Sequence, residues 1–187
     1  MLQVKENKVV RRSEYIESAA AFVARRLREI DPTFALEFLG PSATLVPIPR
    51  SSLQRPGALW PAMEIANALH AQGFGARVLP SLTRSSAVAK AATSASKDHP
   101  KAQAHYDSLR VNRPIELPSM VTLIDDVVTR GAQPLGAAWS IWAARHDVEV
   151  RAFAVIRTIS NPEAFTTIAD PRVGLIKLRG DECFRAP

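Results

Sequence analysis

The chain is poor in cysteine, and Cys183 is the only one among its 187 residues. It therefore cannot form a disulfide within the chain, and no zinc cluster can be assembled around it. Long apolar runs are also missing, because no window approaches the roughly 18 apolar residues of a transmembrane helix. The first residues, Met-Leu-Gln-Val-Lys-Glu-Asn-Lys, lack the apolar centre of a secretory signal. We therefore expect a cytoplasmic protein that does not associate with membranes.

Acidic residues are outnumbered, and the formal net charge is +6, from 24 Lys and Arg against 18 Asp and Glu. Such a surplus suits a polyanionic ligand, whether a nucleotide, pyrophosphate or nucleic acid. A nucleic-acid surface needs basic residues concentrated on one element with aromatic residues between them. Here the basic residues are scattered and motifs that bind duplexes are absent, so nucleic acid is a weakly supported partner.

Size and composition predict one globular domain over residues 1–187. A chain of 187 residues can bury one sizeable core, and this length favours a single domain. Hydrophobic residues make up 47% and charged residues 22% of the chain, which are ordinary proportions for a globular protein.

The hydrophobic pattern alternates between helical and strand periods. Apolar positions at helical spacing predict helices from Ser13 to about Ile30, over 61–71 and over 134–145. Short apolar runs predict strands at 43–48, 76–79, 120–124 and 149–156. This alternation implies an α/β fold with an open, mainly parallel sheet and helices on both of its faces. In the last helix, the residues expected to face the core are Leu135, Ala138, Trp139 and Trp142.

The most informative stretch is 121–131, an apolar run that ends in Asp125 and Asp126 and continues into a short polar loop. Pro134 opens the next helix, so the two acids lie at the carboxyl end of a strand. Ligands of open α/β sheets bind at that end, and the first turn of a helix suits a phosphate. Paired carboxylates suit Mg²⁺ or the vicinal hydroxyls of a ribose, because both need several oxygen acceptors.

Two other kinds of structure also contain an apolar strand that ends in paired acids. A phosphoacceptor receiver domain places its acid pair on the first strand, whereas several predicted elements precede Asp125 here. A solvated acidic turn that only caps a buried strand is the other alternative. The loop and helix that follow at the required spacing favour a ligand site.

Residues 121–131 resemble the phosphoribosyl pyrophosphate (PRPP) motif of type I phosphoribosyltransferases, in which an apolar strand, an acidic pair and two apolar residues precede Thr-Thr/Arg-Gly-x-Thr. The resemblance implies that Asp125 and Asp126 hold the ribose hydroxyls and Mg²⁺, and that the following loop binds the 5′-phosphate. Two positions depart from the motif: Thr122 replaces an aliphatic residue, and Gln133 replaces the closing Thr or Ser. The loop residues implied in PRPP binding are Val127, Val128, Thr129, Arg130, Gly131, Ala132 and Gln133.

A second candidate site is Val-Pro-Ile-Pro-Arg-Ser-Ser at 46–52, which follows a predicted parallel strand and should reach the same edge of the sheet as Asp125. Arg50 and Ser51 supply donors for an anion. This segment resembles the pyrophosphate loop of type I phosphoribosyltransferases, and Arg-Pro-Gly at 55–57 is similar to the competence protein F subgroup. A rigid turn between strand and helix is the alternative interpretation.

Residues 81–107 predict a long loop, and loops of this length within a compact domain are usually functional or disordered. In the type I phosphoribosyltransferases a mobile loop closes over the reaction centre and excludes water. The cations implied as partners of the pyrophosphate are Arg84, Lys90, Lys97 and Lys101. His105 is expected to be a surface or hydrogen-bonded structural residue, with a proton carrier as the alternative, and Trp60 is a candidate for stacking on a base.

The resemblance implies a phosphoribosyltransferase that transfers phosphoribosyl from Mg²⁺–PRPP to a nitrogen acceptor such as a nucleobase, with Asp125, Asp126, Arg50 and Lys90 as catalytic residues. It also implies a core over 43–157, a hood from 1–40 and 160–187, and a homodimer. Two alternatives stay open: a PRPP-binding regulator that does not catalyse transfer, and a competence-type accessory protein of DNA uptake.

Overall fold

The computed structural model describes residues 9–11, 16–30, 32–88, 100–159 and 171–186. Its strands are β1 (Val9–Arg11), β2 (Ile16–Ser18), β3 (Thr44–Pro47), β4 (Arg77–Val78), β5 (Leu82–Arg84), β6 (Leu109–Val111), β7 (Met120–Val128), β8 (Glu149–Arg157), β9 (Leu175–Arg179) and β10 (Glu182–Ala186). Its helices are α1 (Ala19–Ile30), α2 (Pro32–Leu39), α3 (Pro61–Ala71), α4 (Ala102–Ser108) and α5 (Ala132–Ala144).

A four-stranded, fully parallel sheet in the order β4-β3-β7-β8 forms the centre of the fold, as the alternating pattern predicts. The chain passes from β3 to β4 on one side and later returns to place β7 on the other side of β3. Pro47 pairs in register with Ile124, so the carboxyl ends of β3 and β7 are neighbours. A reversal of strand order opens a crevice at the carboxyl ends of the two strands, where open α/β sheets bind ligands.

Helices cover both faces of this sheet, as expected. Side chains alternate between faces along a strand, so Leu45 and Ile124 pack in the cluster that contains α1, α2 and α3. Val46 and Leu123 belong to a second cluster, with Ala137 and Ile141 of α5. The sheet is therefore the middle of three layers.

Helix α3 has the predicted bounds. Pro61 occupies its first turn, where a missing N–H costs nothing, and Ala62, Ile65 and Leu69 are buried. The chain leaves the helix through Gly73, whose φ of +86° suits glycine.

The predicted helix from Ser13 to Ile30 is wrong in its first part. Residues 16–18 form β2, which pairs antiparallel with β1, and α1 begins only at Ala19. The helix is capped by Ser18, whose Oγ accepts the backbone N–H of Ala21 at 3.2 Å. After Ile30, Pro32 opens a second helix, α2, which the sequence pattern did not predict.

The predicted inner face of α5 is only partly correct. Ala138 is buried, but Trp142 is 40% exposed and its indole N–H donates to the carbonyl of Val148. Small residues occupy the inner face because α5 crosses α4 closely: a Cβ on Gly136 would lie 2.5 Å from the carbonyl oxygen of Ala102. The tryptophans are consequently placed toward the outer side.

The predicted loop over 81–107 contains regular structure at both ends. Strand β5 pairs antiparallel with β6, and α4 leads into β6. Leu82 and Leu109 anchor this unit in the core, with exposures of 0% and 2%. Residues 89–99, which include Lys90 and Lys97, lie outside the described residues.

Candidate functional site

The paired acids lie in the carboxyl-terminal half of β7, which runs on to Val128, so the predicted end of this strand at residue 124 is wrong. Val127 and Val128 belong to the strand rather than to the loop that follows it. Asp125 is 4% exposed, and its Oδ1 accepts the backbone N–H of Asp126 at 2.9 Å. Asp126 is half-buried, and no described residue forms an ion pair with its carboxylate. One acid is therefore held by the protein, whereas the other is accessible to a ligand.

The loop at 129–133 presents backbone donors. Among the described residues, no acceptor lies within hydrogen-bonding distance of its five N–H groups. Gly131 caps α5 with a φ of +96°, and a Cβ there would come within 2.8 Å of the Ile176 side chain. Orphan N–H groups and the positive end of the helix dipole favour an anion at this position.

Both departures from the PRPP motif have structural explanations. Thr122 is fully buried, and its hydroxyl donates to the carbonyl of Phe38 at the end of α2. Gln133 directs its side-chain amide to both carboxylate oxygens of Asp125, at 3.3 and 3.4 Å. Thr122 thus joins the sheet to a helix, and Gln133 holds an acid of the site.

The loop after β3 lies beside the acids. The N–H of Ile48 donates to the carbonyl of Ile124 at 2.9 Å, which keeps the loop against β7. Arg50 is exposed and donates to the carbonyl of Leu59 at 3.1 Å. Trp60 is half-buried, and its indole N–H donates to the carbonyl of Ile48, which braces the loop; stacking of a base on this ring stays a prediction.

Arg84 is not an exposed loop cation, and the prediction that it meets the ligand on loop closure is wrong. It is 8% exposed at the end of β5 and donates to the carbonyls of Pro49 and Arg50 and to the hydroxyl of Ser108. Burial lowers the pKa of Arg84 to about 10, and the negative charge of Asp125 opposes this lowering. No sequence motif predicts that Arg84 is buried and hydrogen-bonded to the loop after β3, because a single arginine after an apolar strand is common.

His105 lies in the interior rather than on the surface. It is 4% exposed, and within the described part of the chain its Nδ1 has no hydrogen-bond partner. Burial, assisted by the positive charge of Arg84, lowers its pKa from 6.5 to about 4. The imidazole is therefore neutral at physiological pH.

The hairpin β9–β10 packs against the loop at 129–133. Arg130 forms an ion pair of 2.9 Å with Glu182, and the side chain of Ile176 covers Gly131. Lys101, another predicted loop cation, is exposed and forms an ion pair with Asp181 of the same hairpin. Part of the segment predicted as a hood thus contacts the site.

A separate surface cleft of about 400 Å³ is lined by Gln103, Tyr106, Trp139 and Trp142. Trp142 lies near the far end of α5 from Gly131, at a distance of about 16 Å along the helix axis. The cleft is therefore distinct from the paired acids.

No family model matches the chain. No curated protein matches it at a significant level either. Within the described ranges, no three His, Cys, Asp or Glu side chains group together as metal ligands. None of the described helices has the length and apolar character needed to cross a membrane.

Proposed function

We propose that the protein is a phosphoribosyltransferase that transfers phosphoribosyl from Mg²⁺–PRPP to a nitrogen acceptor and releases pyrophosphate. One observation carries the proposal. The acids and the donor-rich loop at the end of β7 lie directly beside the loop that follows β3, at the reversal of strand order. PRPP bears a phosphate, two ribose hydroxyls and a pyrophosphate, and this edge offers groups of suitable chemistry for each.

The ribose 5-phosphate half of the substrate is assigned to β7 and its loop. The N–H groups of 129–133 suit the 5′-phosphate, because they have no protein acceptor among the described residues. The accessible carboxylate of Asp126 accepts hydrogen bonds from the 2′- and 3′-hydroxyls, and Asp125, which is 4% exposed and accepts from Gln133 and from the N–H of Asp126, adds the second carboxylate of the pair. The contact from Gln133 fixes the orientation of Asp125.

The pyrophosphate half is assigned to the loop at 48–52. Arg50 is exposed there, and the half-buried Ser51 adds a hydroxyl. The carbonyl of Ser51 accepts the N–H of Val88, so the segment that leads toward Lys90 starts at this loop. Lys90 is proposed as the cation that meets the pyrophosphate.

Magnesium fits these residues. Mg²⁺ is commonly bound by one or two carboxylates together with substrate phosphate oxygens, and Asp125 and Asp126 provide two carboxylates at one strand end. When bound, the ion neutralises charge on the leaving pyrophosphate.

The proposed reaction needs positioning rather than a covalent intermediate on the protein. The acceptor nitrogen forms a bond to the anomeric carbon while the bond from that carbon to pyrophosphate breaks, and the nitrogen then loses its proton to solvent. The acids hold the ribose in place and the cationic groups stabilise the departing charge.

Calorimetric titration of Mg²⁺–PRPP tests the assignment of the acids. The Asp126→Asn variant should bind PRPP about ten- to a hundredfold more weakly, because charged hydrogen bonds contribute about 1.5–3 kcal/mol each. The matched control is Asp147→Asn, an exposed aspartate that pairs with Arg145 beyond the far end of α5. Equal affinity in wild type and Asp126→Asn would remove the acids from the site.

A PRPP-binding regulator that does not catalyse transfer is the second candidate. The contact between Gln133 and Asp125 favours it, because the PRPP motif of type I phosphoribosyltransferases has a Thr or Ser hydroxyl at this position. Release of pyrophosphate from PRPP with a panel of nucleobases separates the two. PRPP binding without release by any base supports the regulator, and release with one base supports the transferase. Salt-sensitive binding to single-stranded DNA would instead support the DNA-uptake alternative.

A further inference from the structure

We infer that Arg84 is a positioning residue that turns the backbone of the loop at 48–52 so that its N–H groups can bind a diphosphate anion. The inference deepens the proposed function and rests on it, because the anion is assigned as the pyrophosphate group of PRPP. Arg84 itself is buried and acts through the loop rather than by touching the substrate.

The guanidinium of Arg84 is the common partner of two successive carbonyls. Its Nε donates to the carbonyl of Arg50 at 2.5 Å, and its Nη2 donates to the carbonyl of Pro49 at 3.4 Å. The third nitrogen, Nη1, donates to the hydroxyl of Ser108 at 2.5 Å. Each nitrogen of the guanidinium therefore has its own acceptor, and the group is fixed in orientation.

The directions of the two carbonyls determine the directions of the neighbouring N–H groups. No peptide bond in the described residues is cis, and in a trans peptide the C=O and N–H point in opposite directions. Since the carbonyls of Pro49 and Arg50 point toward Arg84, the N–H groups of Arg50 and Ser51 point away from it. No described residue accepts a hydrogen bond from either N–H. Successive N–H groups on one side of a loop form an anion-binding concavity.

Arg84 also joins this loop to the other half of the site. Its positive charge interacts with Asp125, which is itself 4% exposed at the end of β7. Ser108, the third acceptor, is the last residue of α4. A single side chain thus connects both ligand-binding strands with the helix that follows the long loop.

Lysine cannot replace this arrangement. Its ammonium group is a single point on a flexible chain, whereas the planar fork of arginine reaches several acceptors at fixed angles. The Arg84→Lys variant therefore keeps the charge beside Asp125 and loses the orientation of the loop. The matched control is Arg110→Lys, because Arg110 also donates to backbone carbonyls but is exposed on β6.

The first measurement is the response of backbone amides to inorganic pyrophosphate in ¹⁵N–¹H NMR spectra. In the wild type and in Arg110→Lys, the amides of Arg50 and Ser51 should shift on titration. In Arg84→Lys these shifts should be lost or should need about tenfold more pyrophosphate. Equal responses in wild type and Arg84→Lys, or no response of these amides in the wild type, would overturn the inference.

The second measurement compares two ligands by calorimetry. Arg84→Lys should bind Mg²⁺–PRPP about ten- to a hundredfold more weakly and ribose 5-phosphate about as well as the wild type. A purely structural role would weaken both ligands to the same degree, and that result would refute the inference. If Arg84→Lys fails to fold, Ser108→Ala removes one acceptor of the guanidinium and should weaken PRPP more than ribose 5-phosphate.

The two proposals can fail separately. Amide shifts that depend on Arg84, in a protein that binds no PRPP, would refute the proposed function and support the role of Arg84 in binding diphosphate. PRPP binding that is indifferent to Arg84→Lys would support the proposed function and refute the role of Arg84.

Discussion

Gln133 contacts Asp125 through a forked interaction, with its Nε2 at 3.4 Å from Oδ1 and 3.3 Å from Oδ2. The amide stands where the resembled motif has a hydroxyl group. It therefore supports a buried carboxylate from the start of α5 rather than adding a further hydroxyl to the loop at 129–133. This contact joins the two parts of the candidate site to which the ribose and the 5′-phosphate are assigned in the proposed function.

Gln133→Thr should separate the support of Asp125 from the binding of phosphate by the loop. The two hydrogen bonds from the Gln133 amide to Asp125 are lost, so the free energy of unfolding should fall by about 1 kcal/mol. The restored hydroxyl should bind the phosphate, and affinity for ribose 5-phosphate should rise about two- to tenfold. Urea denaturation and calorimetry measure the two effects.

Gln103→Thr is the matched control for this substitution, because Gln103 is an exposed glutamine whose amide contacts Asp107 on α4. It should leave ligand affinity unchanged. Weaker binding of ribose 5-phosphate by Gln133→Thr would mean that the glutamine amide itself contacts the phosphate.

Gly131→Ala should destabilise the loop at 129–133. A left-handed conformation costs an L-residue about 1–2 kcal/mol, and the new Cβ would also meet the Ile176 side chain at 2.8 Å. We expect a loss of about 2–4 kcal/mol in unfolding free energy and weaker binding of ribose 5-phosphate. Thermal and urea denaturation would give the loss.

Gly180→Ala isolates the conformational part of this cost, because Gly180 has a φ of +62° and a methyl group added there would meet no atom of the described residues within 4 Å. Adding Ile176→Ala to Gly131→Ala should recover part of the stability by removing the steric contact. A double variant no more stable than Gly131→Ala would show that the hairpin does not press on the loop.

His105 should make the stability depend on pH. Its pKa is about 4 in the folded protein and 6.5 when unperturbed, so below pH 6.5 the unfolded chain binds the proton more readily. Stability is therefore greatest above pH 6.5 and falls as the pH drops toward 4. The contribution of His105 to this loss is about 3 kcal/mol, since one pKa unit corresponds to about 1.36 kcal/mol.

His105→Leu should reduce the loss of stability between pH 7 and pH 4.5, as measured by urea denaturation at each pH. His146→Gln removes an exposed histidine and serves as the control. If His105→Leu lost as much stability as the wild type over this range, the imidazole would not be the group responsible.

The central sheet and α3 could be predicted because their signals are local. Pro61, the apolar stripe and Gly73 define α3 without reference to the rest of the chain. The acids also follow from the sequence, since they interrupt a strongly apolar run near its carboxyl end, although β7 continues through Val127 and Val128.

Contacts between residues far apart in the chain could not be predicted from the sequence. Arg84 acquires its role from carbonyls 34 and 35 residues earlier, and no local pattern encodes that distance. Trp142 has core spacing, but the close crossing of α4 and α5 at Gly136 gives the inner face to smaller residues. The Ser- and Ala-rich composition of 81–107 concealed β5 and α4, which are stabilised by burial of Leu82 and Leu109.

The single thiol of the chain belongs to β10, in the hairpin that packs against the loop at 129–133. Cys183 is 6% exposed, and burial raises the pKa of its thiol. An alkylating reagent can therefore reach it readily only when β9 and β10 lift away, and no other sulfhydryl contributes a background signal. The rate at which Cys183 is labelled therefore measures the rate at which the β9–β10 hairpin opens.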